Sequence, residues 1–124
     1  AGLLSIASGN RAGHTAVAAG ADTLGAALTE AAACLADGDA MVLLIHFDQC
    51  LPPEYAAFAD GRDICAAFAI LFGAGGIAVR LGWRRAGARA VPPAPASPLP
   101  LLRGEADAVE FPGDRMIWSL SRAA

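Results

Sequence analysis

A chain of 124 residues has room for one domain, and a domain of that size hides about two thirds of the surface its unfolded chain exposes. Hydrophobic residues make up 56% and charged ones 17%, which excludes a disordered tail and calls for elements covered on more than one side, or a surface that expects a partner. Nine arginines without a single lysine stand against twelve acids, so the net charge of -3 gives no overall field to draw nucleic acid.

In chain order, Gly2 to Ser8 is small and apolar and reads as the end of a helix, and Gly9 to Gly13 as a turn. Ala1 brings neither an initiator Met nor a basic leader, so no signal peptide is read and an N-terminal truncation is expected. Thr15 to Ala18 is a short strand candidate. Gly20 and Asp22 then supply a sharp turn and a helix N-cap. A helix is predicted over Thr23 to Ala36, with Leu24, Ala27, Leu28, Ala31 and Leu35 on one face. Ala26, Ala32 and Ala33 leave the opposite face nearly as apolar, so the helix is expected to be buried all round. Asp37-Gly38-Asp39 ends it.

Met41 to Phe47 is apolar without alternation, the pattern of a central strand covered on both faces. Pro52-Pro53 opens a loop that runs to Arg62. Cys65 to Phe72 and Ile77 to Trp83 then read as a hairpin joined by glycines. Five prolines between Val91 and Pro100 predict an extended surface linker. Val109 to Phe111 and Met116 to Leu120, around Pro112-Gly113-Asp114, predict a last small hairpin. The organisation expected is therefore a domain over 1–90, a Pro-rich linker over 91–100 and a hairpin tail over 101–124 that packs on the same domain. Ile64 to Val79 is uncharged but shorter than the roughly 20 residues a membrane span needs.

Candidate chemistry is sparse. Gly73-x-Gly75-x-x-Ala78 imitates a dinucleotide-binding turn, yet the residues after it alternate like a strand and no acidic residue follows at the ribose distance. His46 and Asp48 sit two apart at a strand end and so share a face, but two residues do not complete a site, and His14 is the only other histidine. Ser5 and Ser8 lack a nucleophile-elbow context. Cys34, Cys50 and Cys65 have no CxxC spacing and read as buried thiols of a reducing cytoplasm. Arg80, Arg84, Arg85 and Arg89 form a basic run, either a solvated strand end or a docking place for an acidic carrier protein. Spacing alone yields no cofactor or metal site.

One stretch carries more. Ala1 to Gly20, with Ala1-Gly2, Ser5-Ile6, the glycine turn and Thr15-Ala16-Val17-Ala18-Ala19-Gly20, resembles the segment leading to the nucleophile of beta-ketoacyl synthases, in the thiolase superfamily. Their pattern ends Thr-Ala-Cys-Ala-Ser-Gly, so Val17 stands where the cysteine belongs and Ala19 where the serine does. Asp48-Gln49-Cys50-Leu51-Pro52 and Arg115 to Arg122 are similar to features of the chain-length-factor-like proteins of aryl polyene biosynthesis.

The resemblance implies an α/β, thiolase-like layered fold, one half of it, as a mixed sheet with a buried central helix. It implies no cofactor, and a vacated nucleophile position at Val17, because valine cannot hold an acyl chain as a thiolate does. It also implies a dimer edge strand over Thr15, Ala16, Val17 and Ala18, paired with a catalytic ketosynthase or with itself. Ser5, Ile6 and Val17 would line an acyl tunnel. The function implied is a non-catalytic subunit that assists chain elongation on an acyl carrier protein. The alternatives are an active synthase or acyltransferase with its nucleophile elsewhere, for instance at Cys50, and an acyl or carrier-binding module.

Overall fold

The computed structural model describes residues 2–58, 65–87 and 97–123, apart from the side chain of Leu4. The elements are α1 (Gly2–Ser8), a 3-10 turn (Gly20–Asp22), α2 (Thr23–Ala36), β1 (Met41–Asp48), a second 3-10 segment (Pro53–Phe58), β2 (Ala66–Gly73), β3 (Val79–Arg85), α3 (Leu99–Leu102), β4 (Ala108–Pro112) and β5 (Met116–Arg122). The strands form two sheets, β1-β2 and β3-β5-β4. All their pairings are antiparallel, so a mixed sheet is not seen among the described residues. The class is α/β, as expected.

The core joins α2 to both sheets. Leu24, Leu28 and Ala31 of α2 cluster with Leu44 of β1, Leu101 of α3, Phe111 of β4 and Leu120 of β5. Strand alternation places these residues. On β1 and β2 the pairs Val42↔Phe72, Leu44↔Ile70 and His46↔Phe68 share one face, and Val42, Leu44, Phe68 and Phe72 belong to the cluster or pack against it. On the three-stranded sheet Leu81↔Leu120↔Val109 and Trp83↔Trp118↔Phe111 make two cross-strand rows.

Several expectations change. The helix over Thr23–Ala36 forms with the predicted bounds, but it buries one stripe, Leu24, Gly25, Leu28 and Ala31, and leaves Ala32 and Ala33 exposed. β1 is covered on one face only. Met41, Leu43, Ile45 and Phe47, with Leu71 of β2, lie between 59 and 76% exposed on the other, since no second layer covers them among the described residues. β2 and β3 do not form a hairpin: β2 pairs with β1, whereas β3 pairs with β5. The glycines pass the chain between sheets instead, and Gly76 at φ 84° takes a conformation that favours glycine.

Thr15–Ala18 forms no strand: among the described residues none lies beside it to complete a ladder. Of the linker expected over Val91–Pro100, residues 91–96 lie outside the described residues. Its end is helical rather than extended: Pro98 is fully buried, α3 starts at Leu99, and Pro100 fits there because the first turn of a helix needs no amide donor. The terminal hairpin forms as expected, and β5 becomes the middle strand of its sheet. Cys50 and Cys65 are not buried thiols but a disulfide with a Cα–Cα distance of 5.4 Å, and Cys34 is free and half-buried. Among the described residues no helix is long and apolar enough to cross a membrane.

Candidate functional site

The segment singled out by its pattern runs from α1 to the start of α2. Asn10 N–H donates to the Ser5 carbonyl at 2.9 Å and Ala12 N–H to Asn10 Oδ1 at 2.9 Å, so the glycine turn is tied back onto α1. Ser5 is half-buried beneath it, while Ile6 and Leu3 point outward at 80 and 86% exposure. Val17 follows, half-buried, three residues ahead of the 3-10 turn that feeds α2. Gly20 at φ 57° makes that turn. The Thr23 hydroxyl closes it, accepting from Ala19 N–H at 2.9 Å and donating to the Gly20 carbonyl at 2.7 Å. Val17 therefore stands on the approach to a helix N-terminus, where aligned peptide dipoles favour a negative charge.

Asp22 was expected to cap α2, but its carboxylate bonds elsewhere. It accepts from Trp118 Nε1–H at 2.8 Å, from Asp114 N–H at 3.2 Å and from Arg115 N–H at 3.4 Å, fastening the start of α2 to the β4–β5 turn. Two glycines make the contact feasible. A Cβ on Gly25 would fall within the Trp118 indole, and one on Gly113 within the Asp22 carboxylate. No local signal announces this arrangement. The clue is a glycine in the first turn of an otherwise alanine-rich helix, where it costs stability unless something must approach closely.

The remaining candidates are scattered. His46 stacks on Phe68 with ring centroids 4.9 Å apart, while the Asp48 carboxylate accepts from Gln49 N–H at 3.0 Å. His14 is exposed in the loop before Val17. Arg80, Arg84 and Arg85 are exposed along β3, with Arg84 Nη2 3.2 Å from Glu110 Oε2; Arg89 lies outside the described residues. No group of three His, Cys, Asp or Glu side chains gathers to hold a metal among the described residues. Two open cavities, of about 420 and 270 Å³, lie at opposite ends of the β1-β2 sheet, and neither is lined by Ser5, Ile6 or Val17. Partial burial, followed by the charges of Glu30, Asp39 and Asp37, pushes the Cys34 thiol above its ordinary value.

Comparison with known proteins gives two matches. The sequence model of the family described as "Beta-ketoacyl synthase, N-terminal domain" matches residues 1–99. The fold is similar to that of a chain in the structure of the ketosynthase ApeO in complex with its chain length factor ApeC from Xenorhabdus doucetiae, with a TM-score of 0.74 at 24% sequence identity. That match covers 98% of this chain and 52% of the other, so this chain spans about half the length of its structural relative. No curated protein matches in sequence.

Proposed function

Starting from a chain that belongs to the beta-ketoacyl synthase N-terminal domain family, we propose that it is a non-catalytic, chain-length-factor-like subunit that pairs with a catalytic ketosynthase. The observation that carries this is Val17. At the position where the family pattern has its cysteine, ahead of the α2 N-terminus, the side chain has no nucleophile and can tether no acyl chain. The apolar side chains left bare on α1 and on the outer face of β1-β2 support a chain that works against a neighbour.

In this reading Thr15 to Ala18 acquires its ladder from the partner's matching segment across a pseudo-twofold axis, which fits its lack of a strand neighbour here. Ser5, Ile6 and Val17 would then contribute side-chain volume to the partner's acyl tunnel and limit product length. The acyl carrier protein would meet the exposed Arg80 and Arg85. The setting is the bacterial cytoplasm, in polyketide, aryl polyene or fatty acid elongation. An active synthase that used Cys50 as nucleophile would first need its sulfur released from Cys65.

The test is co-expression with an intact ketosynthase of the same family and measurement of the size of the product. A one-to-one heterodimer is expected. Ala16→Pro, which removes an amide that makes no bond among the described residues, should abolish the heterodimer without unfolding the protein. A chain that never enters a mixed dimer, or one whose pairing ignores Ala16→Pro, removes the proposal.

A further inference from the structure

We infer that the outer face of the β1-β2 sheet is a self-association surface, where a second copy of this chain packs its own outer face about a two-fold axis. Strand alternation turns every second residue to this side, from Met41 to Phe47 on β1 and from Ala67 to Gly73 on β2, and all of them are exposed. None is polar or charged. With eight ladder pairs the face runs about 26 Å along the strands, a contiguous apolar patch of the kind that marks an interaction site.

Two properties of the face select a second copy over a different partner. It offers no charge to a partner chosen by opposite sign, and two copies that each carry a net charge of -3 set no like charges against each other there. It is also complementary to itself. The outward cross-strand pairs Met41↔Gly73, Ile45↔Ala69 and Phe47↔Ala67 each place a large side chain on β1 beside a small residue on β2, which makes a ridge along one strand and a trough along the other. Sheets stack about 10 Å apart with their strands nearly aligned. A two-fold axis along the strands, midway between two such sheets, lays the ridge of each copy over the trough of the other at the same height. Ile45 then meets the second copy's Ala69, and Phe47 its Ala67. Leu43↔Leu71, the one outward pair large on both strands, meets its own counterpart across the axis.

The area is that of a specific but modest contact. Met41, Leu43, Ile45, Phe47 and Leu71 offer on the order of 600 Å² per copy at their 59 to 76% exposure, so a pair hides about 1,200 Å², the lower end of the range for stable interfaces. A dissociation constant on the order of 10 μM is expected. The face lies apart from Thr15 to Ala18, so a mixed pair with a ketosynthase forms without it and stays single when diluted well below that concentration.

The experiment is sedimentation velocity on the whole chain alone, over about 1 to 200 μM, and it does not depend on the pairing proposed above. A reversible shift from monomer to dimer is expected. Ile45→Lys and Ala69→Asp should each weaken the dimer at least about a hundredfold by burying an unpaired charge, with the far-UV circular dichroism unchanged. An equal mixture of the two variants should regain the dimer, because the axis sets positions 45 and 69 of opposite copies together. Ala16→Pro should leave self-association untouched. A chain that stays monomeric throughout overturns the inference, as does a dimer that Ile45→Lys leaves intact or that fails to return in the mixture. Growth into open assemblies beyond the dimer contradicts the two-fold packing. Loss of self-association in Ala16→Pro would assign it to Thr15 to Ala18, and loss of ketosynthase pairing in Ile45→Lys would assign the face to that enzyme; either result also overturns it.

Discussion

Replacing Gly25 with alanine sets two effects against each other, and the structure decides the sign. Gly25 is the third residue of α2, in its first turn, where alanine should gain at most about 1 kcal/mol over glycine from helix propensity alone. Gly25 is buried, however, and a new Cβ would lie within the Trp118 indole. Trp118 must therefore move, and a forced shift of a packed ring costs about 1–3 kcal/mol. The move also breaks its 2.8 Å bond to Asp22, a hydrogen bond to a charged group worth about 1.5–3 kcal/mol. The losses outweigh the gain by about 1.5–5 kcal/mol, roughly 5–25 °C of melting temperature in a domain this size. Urea unfolding followed by tryptophan fluorescence suits the test, because Trp83 is already exposed and Trp118 is half-buried, so the ring that moves dominates the change. Gly25→Ala should lower the midpoint at an unchanged slope and shift native emission to the red. As a reference, Ala33→Gly on the exposed face of the same helix should cost about 1 kcal/mol from propensity alone. A Gly25→Ala protein as stable as its parent would refute the argument that the indole occupies that space.

Further outcomes follow from the same contacts. Asp22→Ala should destabilise by about 2–3 kcal/mol, because it leaves Trp118 Nε1 without its acceptor, and denaturant midpoints will show it. Arg84→Ala should change stability by less than about 1 kcal/mol, since its ion pair with Glu110 is exposed at both ends; a larger loss in thermal melts would contradict that. The Cys34 thiol, raised in the folded chain, disfavours its thiolate, so its contribution to stability is complete below the ordinary thiol range and declines as pH rises through the folded value. Alkylation of Cys34 should therefore lag behind that of a free cysteine near pH 8 and catch up only at more alkaline pH, as mass spectrometry will report. Val17→Cys alone should produce no condensation, because no recognised decarboxylating residues accompany it; ketoacyl product from that variant in a carrier-protein assay would contradict this.

Local patterns were readable and long-range partnerships were not. The apolar periodicity of Thr23–Ala36 and the Asp37-Gly38-Asp39 exit give that helix its bounds, and the Pro112-Gly113-Asp114 turn identifies the terminal hairpin. Glycines after Phe72 suggest a turn equally well whether the strands on either side pair with each other or separate into two sheets, and only packing chose the second. Cysteine spacing leaves pairing undetermined, so Cys50–Cys65 was hidden. Asp22 looked like a cap because N-cap chemistry is local, whereas its actual donors lie 92 to 96 positions away. At the candidate site the proposal of a vacated nucleophile position rests on the sequence pattern around Val17 alone. The bare faces of α1 and β1 were not legible, because hydrophobicity says that a residue wants cover without saying whether its own chain provides it.

The strand order β3-β5-β4 makes the central member of the sheet the latest of its three strands to be synthesised. Until Met116 to Arg122 emerges from the ribosome, β3 and β4 have nothing to pair with, and the anchor that Trp118 gives Asp22 does not exist. The nascent polypeptide must carry β3 and β4 without their shared neighbour until that strand is made, an interval in which chaperones, or a partner already made, decide its fate.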